Sequence, residues 1–400
     1  MPFHLRRRRS DDDSDSLDET QPQTKEKKPK SRKPPNTAFR QQRLKAWQPI
    51  LTPKTVLPLF FAVGIVFAPI GGLLLWASML VQEITIDYTH CLEATSSMAT
   101  IPSEYVSAHF KNVKTAGQAQ WLTYSNATNL EGQREFCRLR FAIEHDMGEP
   151  VLLYYRLTNF FQNHRRYVQS LDEDQIQGIA KTLDELNSDD TCKPLIANSA
   201  GTPYYPCGLI ANSVFNDTFA SPLYKGDIDI SDADTENTTY AMTDSGIAWS
   251  ADKKRFKKTA YKASEVVPPP NWELTYPDGY TDDNMPDISQ MEALQNWVRT
   301  AGLPTFSKLA LRNDNATMSK GIYEIDIGMR FPTTGFGGTK SLVISTRTVV
   351  GGRNAFLGIA YLVVGGLCLV LGLLFTLQHL IRPRKLGDHT YLSWNNDAST

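Results

Sequence analysis

The residues able to do chemistry are few and scattered. Four histidines, His90, His109, His145 and His164, lie in the long middle of the chain. None sits in an H-E-x-x-H pattern, and their spacing suggests no zinc site. No G-x-S-x-G elbow is present to carry a serine nucleophile. Residues 335–341, GFGGTKS, look like a phosphate-binding loop only superficially, because Thr339 separates Gly338 from Lys340. That stretch is expected to be a glycine-permitted turn leading into a strand. Carboxylates are abundant, but nothing singles out the pair a glycosidase would need. Neither a metal nor a cofactor is expected.

Covalent structure is better signposted. Four of the five cysteines, Cys91, Cys137, Cys192 and Cys207, fall in the middle of the chain, and Cys368 falls in an apolar stretch near its end. An even count in an oxidising compartment predicts two disulfides, with three connectivities open. Four N-x-[ST] glycosylation acceptors, Asn126, Asn216, Asn237 and Asn315, lie in the same region and nowhere else.

The elements that must position these residues start from two apolar runs, 56–81 and 355–380. Each exceeds the roughly 20 residues a helix needs to cross a bilayer, and neither contains Asp, Glu, Lys or Arg. Residues 1–55 carry a charge of about +7 and the exit of the second run carries Arg382, Arg384 and Lys385. The positive-inside rule therefore puts both ends in the cytosol and residues 82–354 in the lumen or outside. Cysteines and sequons agree with that side. The first span is a signal anchor, since the long polar N-terminus is no cleavable leader. The region between the spans has 25 Lys+Arg against 34 Asp+Glu, a balance unlike that of a nucleic-acid binder. Residues 1–35 are low in apolar content and expected to be disordered. Residues 36–55 form a juxtamembrane segment with Phe39, Leu44 and Trp47 among basic residues, and 381–400 a cytosolic tail.

An α+β fold is expected between the spans, an antiparallel β core with short helices and long loops. Residues 322–330 alternate, with Tyr323, Ile325, Ile327 and Met329 on one face and Glu324, Asp326 and Arg330 on the other. Residues 151–161 and the β-branched run 340–350 are further strands. Ser170 and Glu173 resemble a capping box for a helix using Ile176, Ile179, Leu183 and Leu186. Residues 287–301 are a second helix candidate, through Met291, Leu294 and Val298. In the first span Gly64, Ala68 and Gly72 form a small-xxx-small face, expected to pack against another membrane protein. His164, Arg165, Arg166 and Tyr167 are expected to pin a loop, the arginines bridging carboxylates and carbonyls; a polar contact to a partner is the alternative.

Longer strings carry a family resemblance. YYRLTNFFQNHRRYVQS (154–170), CKPLIANSAGTPYYPCGLIANSVFND (192–217), IAWSADKKRFKKTAY (247–261), WVRTAGLPTFSKL (297–309) and FGGTKSLVISTRTVVGGRNAFLGIAYLVVGGLC (336–368) resemble the accessory, or beta, subunits of type-IV P-type ATPases, the lipid flippases. NTAFRQQRLKAWQPILTP looks like the fungal branch. The likeness covers roughly 36–385, in order, and Phe161 stands where the family favours Tyr.

The resemblance implies a noncatalytic partner of a ten-span ATPase that moves phospholipid to the cytosolic leaflet. It implies escort of that pump out of the endoplasmic reticulum to Golgi, endosomal or plasma membranes, and support of its phosphorylation and transport. It implies spans packed beside the pump's last spans and the bridges Cys91–Cys137 and Cys192–Cys207. A free-standing receptor or lumenal binding module is the competing expectation, and a lumenal hydrolase a third.

Overall fold

The computed structural model describes residues 36–44, 51–110, 118–227 and 237–383. The expectations for 1–35, for Trp47 and for most of 381–400 lie outside the described residues. Residues 36–44 form a turn of their own, closed by Gln41 N–H to Thr37 O and Arg43 N–H to Ala38 O.

The strands are β1 (Glu83–Asp87), β2 (Ala99–Thr100), β3 (Val106–His109), β4 (Gln120–Ser125), β5 (Glu135–Ile143) and β6 (Val151–Leu157). They continue as β7 (Thr218–Phe219), β8 (Leu223–Gly226), β9 (Thr238–Thr239), β10 (Phe306–Asn313), β11 (Gly321–Gly328) and β12 (Lys340–Thr346). Two sheets result. One runs β10–β6–β12–β1–β3, the other β2–β4–β5–β11–β8–β9 with β7 also on β11. Every pairing between these strands, among the described residues, is antiparallel. The chain is α+β.

Alternation explains the pairing of β5 with β11. Leu139 lies opposite Ile325 and Phe141 opposite Tyr323, all buried, while Arg138 faces Asp326 and Arg140 faces Glu324. Arg138 holds Asp326 through Nε and Nη2 at 2.7 and 2.8 Å, and Arg140 reaches Glu324 at 2.6 Å. A one-residue slip would put the arginines in the core, so both faces fix one register. Strand β12 is buried at every position, as a central strand between β6 and β1 should be.

The expected strands 151–161 and 340–350 stop early. After Leu157 the chain turns at Asn159, whose φ is 54°. After Thr346, the pair Thr348–Gly351 turns it towards the last helix. The glycine segment before β12 is a turn, with Gly337 at φ 60°, and a Cβ on Gly338 would overlap the Phe336 ring and the Thr158 carbonyl.

The helices are α1 (Pro53–Met79), α2 (Arg165–Val168), α3 (Glu173–Ile176), α4 (Leu183–Asp189), α5 (Leu209–Asn212), α6 (Ser250–Lys253), α7 (Glu292–Val298) and α8 (Phe356–Ile381). Two expectations need correction here. The helix through Ile176 and Leu186 is broken at Gly178, whose φ is +87° and whose place admits no Cβ beside the Lys258 carbonyl. Asp172, not Ser170, caps α3, its Oδ1 accepting from Gln175 N–H at 2.8 Å. The real capping box is Thr182 with Glu185, at the start of α4. The helix expected over 287–301 shrinks to α7, because Asp287 instead closes a local turn with Ser289 N–H.

One core lies between the sheets, around Ile84, Leu139, Phe141, Leu153, Ile325 and Ile344. A second, aromatic core joins the short helices to the sheet edge through Tyr155, Tyr205, Phe215, Trp272, Trp297 and Phe331. The indole N–H groups of Trp272 and Trp297 donate to Ala211 O and Ile210 O at 2.9 and 3.0 Å.

A buried ion pair stands where the two cores meet. Lys340 Nζ lies 2.8 Å from Asp217 Oδ2, with side-chain exposures of 4% and 0%. Asp217 also accepts from Tyr88 O–H and from the N–H groups of Arg330 and Phe331. Lys340 donates to Phe331 O as well. Burial pushes the Lys340 ammonium below its ordinary range, against the pull of Asp217. Breaking such a pair costs about 3–5 kcal/mol because the remaining charge is stranded. Lys340→Met alone should therefore destabilise the fold by about that amount in urea titrations. Asp217→Asn with Lys340→Met should recover part of the loss. With Asp217→Asn measured alone as well, single losses that simply add in the double variant would show that the pairing itself contributes nothing.

Candidate functional site

The long helices come first, because they carry the glycines. The spans expected at 56–81 and 355–380 run from Pro53 to Met79 and from Phe356 to Ile381, with mean hydropathy of 2.3 and 2.5. They are long and apolar enough to cross a membrane. They pack on each other. A Cβ on Gly71 would lie 2.8 Å from Leu362 N, on Gly358 2.7 Å from Leu75 N, and on Gly365 3.0 Å from Ala68 N. Phe67 meets Tyr361 with ring centroids 4.9 Å apart, and Ser78 Oγ accepts from Asn354 N–H.

Of Gly64, Ala68 and Gly72, the first two face the chain's own second helix, and a Cβ built on Gly72 would meet nothing within 4 Å. The buried positions are Gly64, Gly71 and Ser78 on one helix and Gly358, Gly365 and Gly372 on the other. Their seven-residue spacing is the signal that the four-residue pattern obscured. The remaining faces, with Leu59, Leu73, Trp76, Val363, Leu367 and Leu374, are exposed apolar surface.

The cluster at 164–167 also differs from expectation. His164, Arg165 and Arg166 are exposed, and neither arginine bridges a carboxylate or carbonyl among the described residues. The loop is pinned by their neighbours. Thr158 shares a hydrogen bond with Thr339, Asn163 donates to Gly302 O, and Gln162 accepts from Ala301 N–H. The Tyr167 hydroxyl lies 2.9 Å from Ser213 Oγ, and burial pushes its pKa up. Ser170 donates to Lys193 O and accepts from Leu209 N–H. The result is a stiff loop presenting three basic side chains beside exposed Phe161 and Val168. Sequence could not have separated the pinning residues from the presented ones, since their partners are up to 181 residues away.

The cysteines join as Cys91–Cys137 and Cys192–Cys207. The first bridge ties the start of the domain to β5. The second closes a small core with Leu186 and Ile196. Beside it Lys181 contacts Asp174, Asp189 and Asp172 at 2.6, 2.7 and 3.2 Å. Desolvation opposes that charge, yet its hydrogen bonds to the carboxylates raise Lys181 above its ordinary range.

Asn237 and Asn315 are exposed. Asn126 is half-buried, its Oδ1 accepting from Thr128 O–H at 2.7 Å. Asn216 lines a cavity, with its Oδ1 buried. Among the described residues no His, Cys, Asp or Glu group could hold a metal ion.

Comparison with known proteins places this architecture. Residues 74–385 match the model of the LEM3 (ligand-effect modulator 3) family, also called the CDC50 family. The chain belongs to that family. It is 46% identical to the phospholipid-transporting ATPase accessory subunit CRF1 of Saccharomyces cerevisiae, over 93% of this chain and 92% of that one. It is 42% identical to the accessory subunit CDC50 of Chaetomium thermophilum, over 93% of each. It is 36% identical to cell cycle control protein 50A of mouse, over 88% of this chain and 91% of that one. The LEM3/CDC50 match takes in the last residues of α1, both sheets and α8.

Two outcomes follow. Gly365→Leu should force the helices apart, whereas Gly366→Leu, which faces open space, should not. A bifunctional thiol reagent should cross-link Phe67→Cys to Tyr361→Cys in the second background and fail to do so in the first. Arg165→Glu with Arg166→Glu should change stability by no more than about 0.5 kcal/mol, as exposed positions do, while Tyr167→Phe should cost about 1 kcal/mol through its lost hydrogen bond. Chemical denaturation of the purified chain reads both.

Proposed function

We propose that this chain is the noncatalytic accessory subunit of a phospholipid-translocating P-type ATPase. The observation that carries the proposal is its near full-length likeness to proteins named as accessory subunits of such pumps. The physical features suit that role. Two helices pack through glycine faces and keep an apolar outer surface for a ten-span partner. A domain tethered at both ends meets its partner with little orientational freedom left to lose.

Charge supports the topology. The basic N-terminus and the Arg382–Lys385 exit belong in the cytosol, and the disulfide-bonded domain with its four sequons belongs in the lumen or outside. The uncharged spans suggest that the polar path for a lipid headgroup lies in the other chain. The chain would escort the pump from the endoplasmic reticulum to Golgi, endosomal or plasma membranes and support its phosphorylation there. The loop at His164–Tyr167 is a second partner contact, through Arg165 and Arg166.

Gentle solubilisation and tag purification should bring down a large P-type ATPase in equal amount. Recovery of the chain alone would favour a free-standing receptor. Arg165→Glu with Arg166→Glu should lower the recovered partner without lowering the chain itself. Cys192→Ser opens a loop whose closure contributes roughly 3 kcal/mol in the chain-entropy model. It should hold the protein in the endoplasmic reticulum, and normal trafficking would make that bridge dispensable.

A further inference from the structure

The first sheet carries a cavity of about 380 Å3 on the face turned away from the inter-sheet core. That volume lies in the range of roughly 300–1,000 Å3 typical of small-ligand sites. Its position follows from register. Arg312, Leu152, Ser345 and Glu83 stand opposite one another across β10, β6, β12 and β1. Glu83 comes just after the end of α1, and Leu152 and Arg312 line the cavity. Tyr154, on the same face, is only about 7 Å farther along β6. Arg347, directly after β12, lines the cavity too. The cavity thus begins at the edge of the domain nearest the helix ends.

Its charge is the reverse of its surroundings. The region between the long helices has 25 Lys+Arg against 34 Asp+Glu. The cavity is lined by Lys308, Arg312 and Arg347 and, among the described residues, by no Asp or Glu. Two of these cations are engaged. Lys308 Nζ donates to Asn296 O and Arg299 O. Arg312 donates to Gly246 O and to Asp314, both at 2.6 Å. Arg347 is exposed, and neither it nor the Tyr154 hydroxyl has a side-chain hydrogen bond or ion pair among the described residues. The two guanidiniums stand near that hydroxyl. Burial pushes the Tyr154 pKa up, while Arg347 and then Arg312 pull it down. Glu83, a carboxylate on the same face, lies 3.7 Å from Arg156. A free guanidinium beside a free phenol is a set of donors without an acceptor.

A second observation concerns the turn that follows Arg347. Thr348 and Gly351 exchange backbone hydrogen bonds of 2.9 Å, and Val349 and Val350 between them are exposed. Arg353, on the other side of the turn, is exposed as well. Asn354 N–H donates to Ser78 Oγ near the end of α1, which holds the turn level with the helix ends. In a bilayer crossed by α1 and α8 that level is the boundary of headgroups and acyl chains. Two valines kept in water forfeit the burial that apolar side chains otherwise gain. Arginines flanking an apolar tip suit the phosphates at that boundary.

We infer that this cavity holds the phosphate of a phospholipid from the adjoining leaflet, with Arg347 and the Tyr154 hydroxyl as donors and the Val349–Val350 turn among the acyl chains. A guanidinium offers a phosphodiester two parallel N–H groups, and the phenol adds a third donor. Trp249, exposed and lining the same cavity, suits the headgroup level, where an indole has one apolar and one wet side. The bound lipid is a resident that seats the domain on the membrane. The inference rests on the membrane crossing proposed above but not on the pump, so its test uses the full-length chain alone.

The test is photolabelling of that chain in nanodiscs. The probe is a phosphatidylethanolamine whose amine carries a diazirine through an amide link, and labelled peptides are mapped by mass spectrometry. Label should appear on the cavity walls, at Gly246–Trp249 and Ser307–Leu309, as well as on the two helices. Arg347→Glu should lower the wall label relative to the helix label by on the order of tenfold. Tyr154→Phe, which removes only the hydroxyl, should lower it too, and Val349→Asp with Val350→Asp likewise. Urea midpoints of the Arg347 and Tyr154 variants should match that of the unaltered chain. Label confined to the helices overturns the inference, as does wall label that Arg347→Glu leaves unchanged. Equal wall label from a diacylglycerol carrying the same diazirine would make the cavity an apolar one and overturns it as well. Loss of wall label in millimolar inorganic phosphate would make a free anion the ligand, against the lipid.

Discussion

The pairing of Lys340 with Asp217 is the interaction on which the rest depends. Placing two charges in a protein interior costs several kcal/mol per ion unless geometry and additional hydrogen bonds compensate. Here they do. Asp217 receives an ammonium, a phenol and two backbone N–H groups, and Lys340 also reaches the Phe331 carbonyl. These groups come from the ends of β1 and β11, the start of β12 and the segment before β7. Four chain segments far apart in sequence thus meet at one point. That point joins the inter-sheet core to the aromatic core, and so joins the sheet rooted in the helices to the loops farther out.

Much of this was legible in sequence, and the misses have physical reasons. Strict alternation in 322–330 gave β11 with its faces correct, because a half-buried strand must alternate. The two apolar runs gave the long helices within a few residues. The short helices were overdrawn because apolar spacing around Ile176 and Leu186 suits one helix, while Gly178 turns the chain beneath Lys258. The glycine faces were only half legible, because a small-residue stripe states that something packs closely, not what. In Arg165 and Arg166 the eye was drawn to charge, yet the loop is held by amides and hydroxyls of Gln162, Asn163, Tyr167 and Ser170. Their partners are distant in sequence, and local pattern has no access to them.

The proposed accessory role follows from this division of labour. Buried polar nodes and disulfides make the domain stiff, so its orientation is set by the paired helices at its base. Glycine packing spends one face of each helix internally and leaves the other apolar. In this proposal the exposed arginines of the pinned loop supply a charged contact at a defined place. A surface arranged in this way suits holding and steadying a partner rather than turning over a substrate.

The most direct test is formation of the partner ATPase's aspartyl-phosphate from labelled ATP, in membranes with this chain deleted and then restored. The account predicts that phosphorylation falls without the chain, returns with the intact chain, and does not return with Gly365→Leu at matched pump levels. Undiminished phosphorylation in the chain's absence would contradict it.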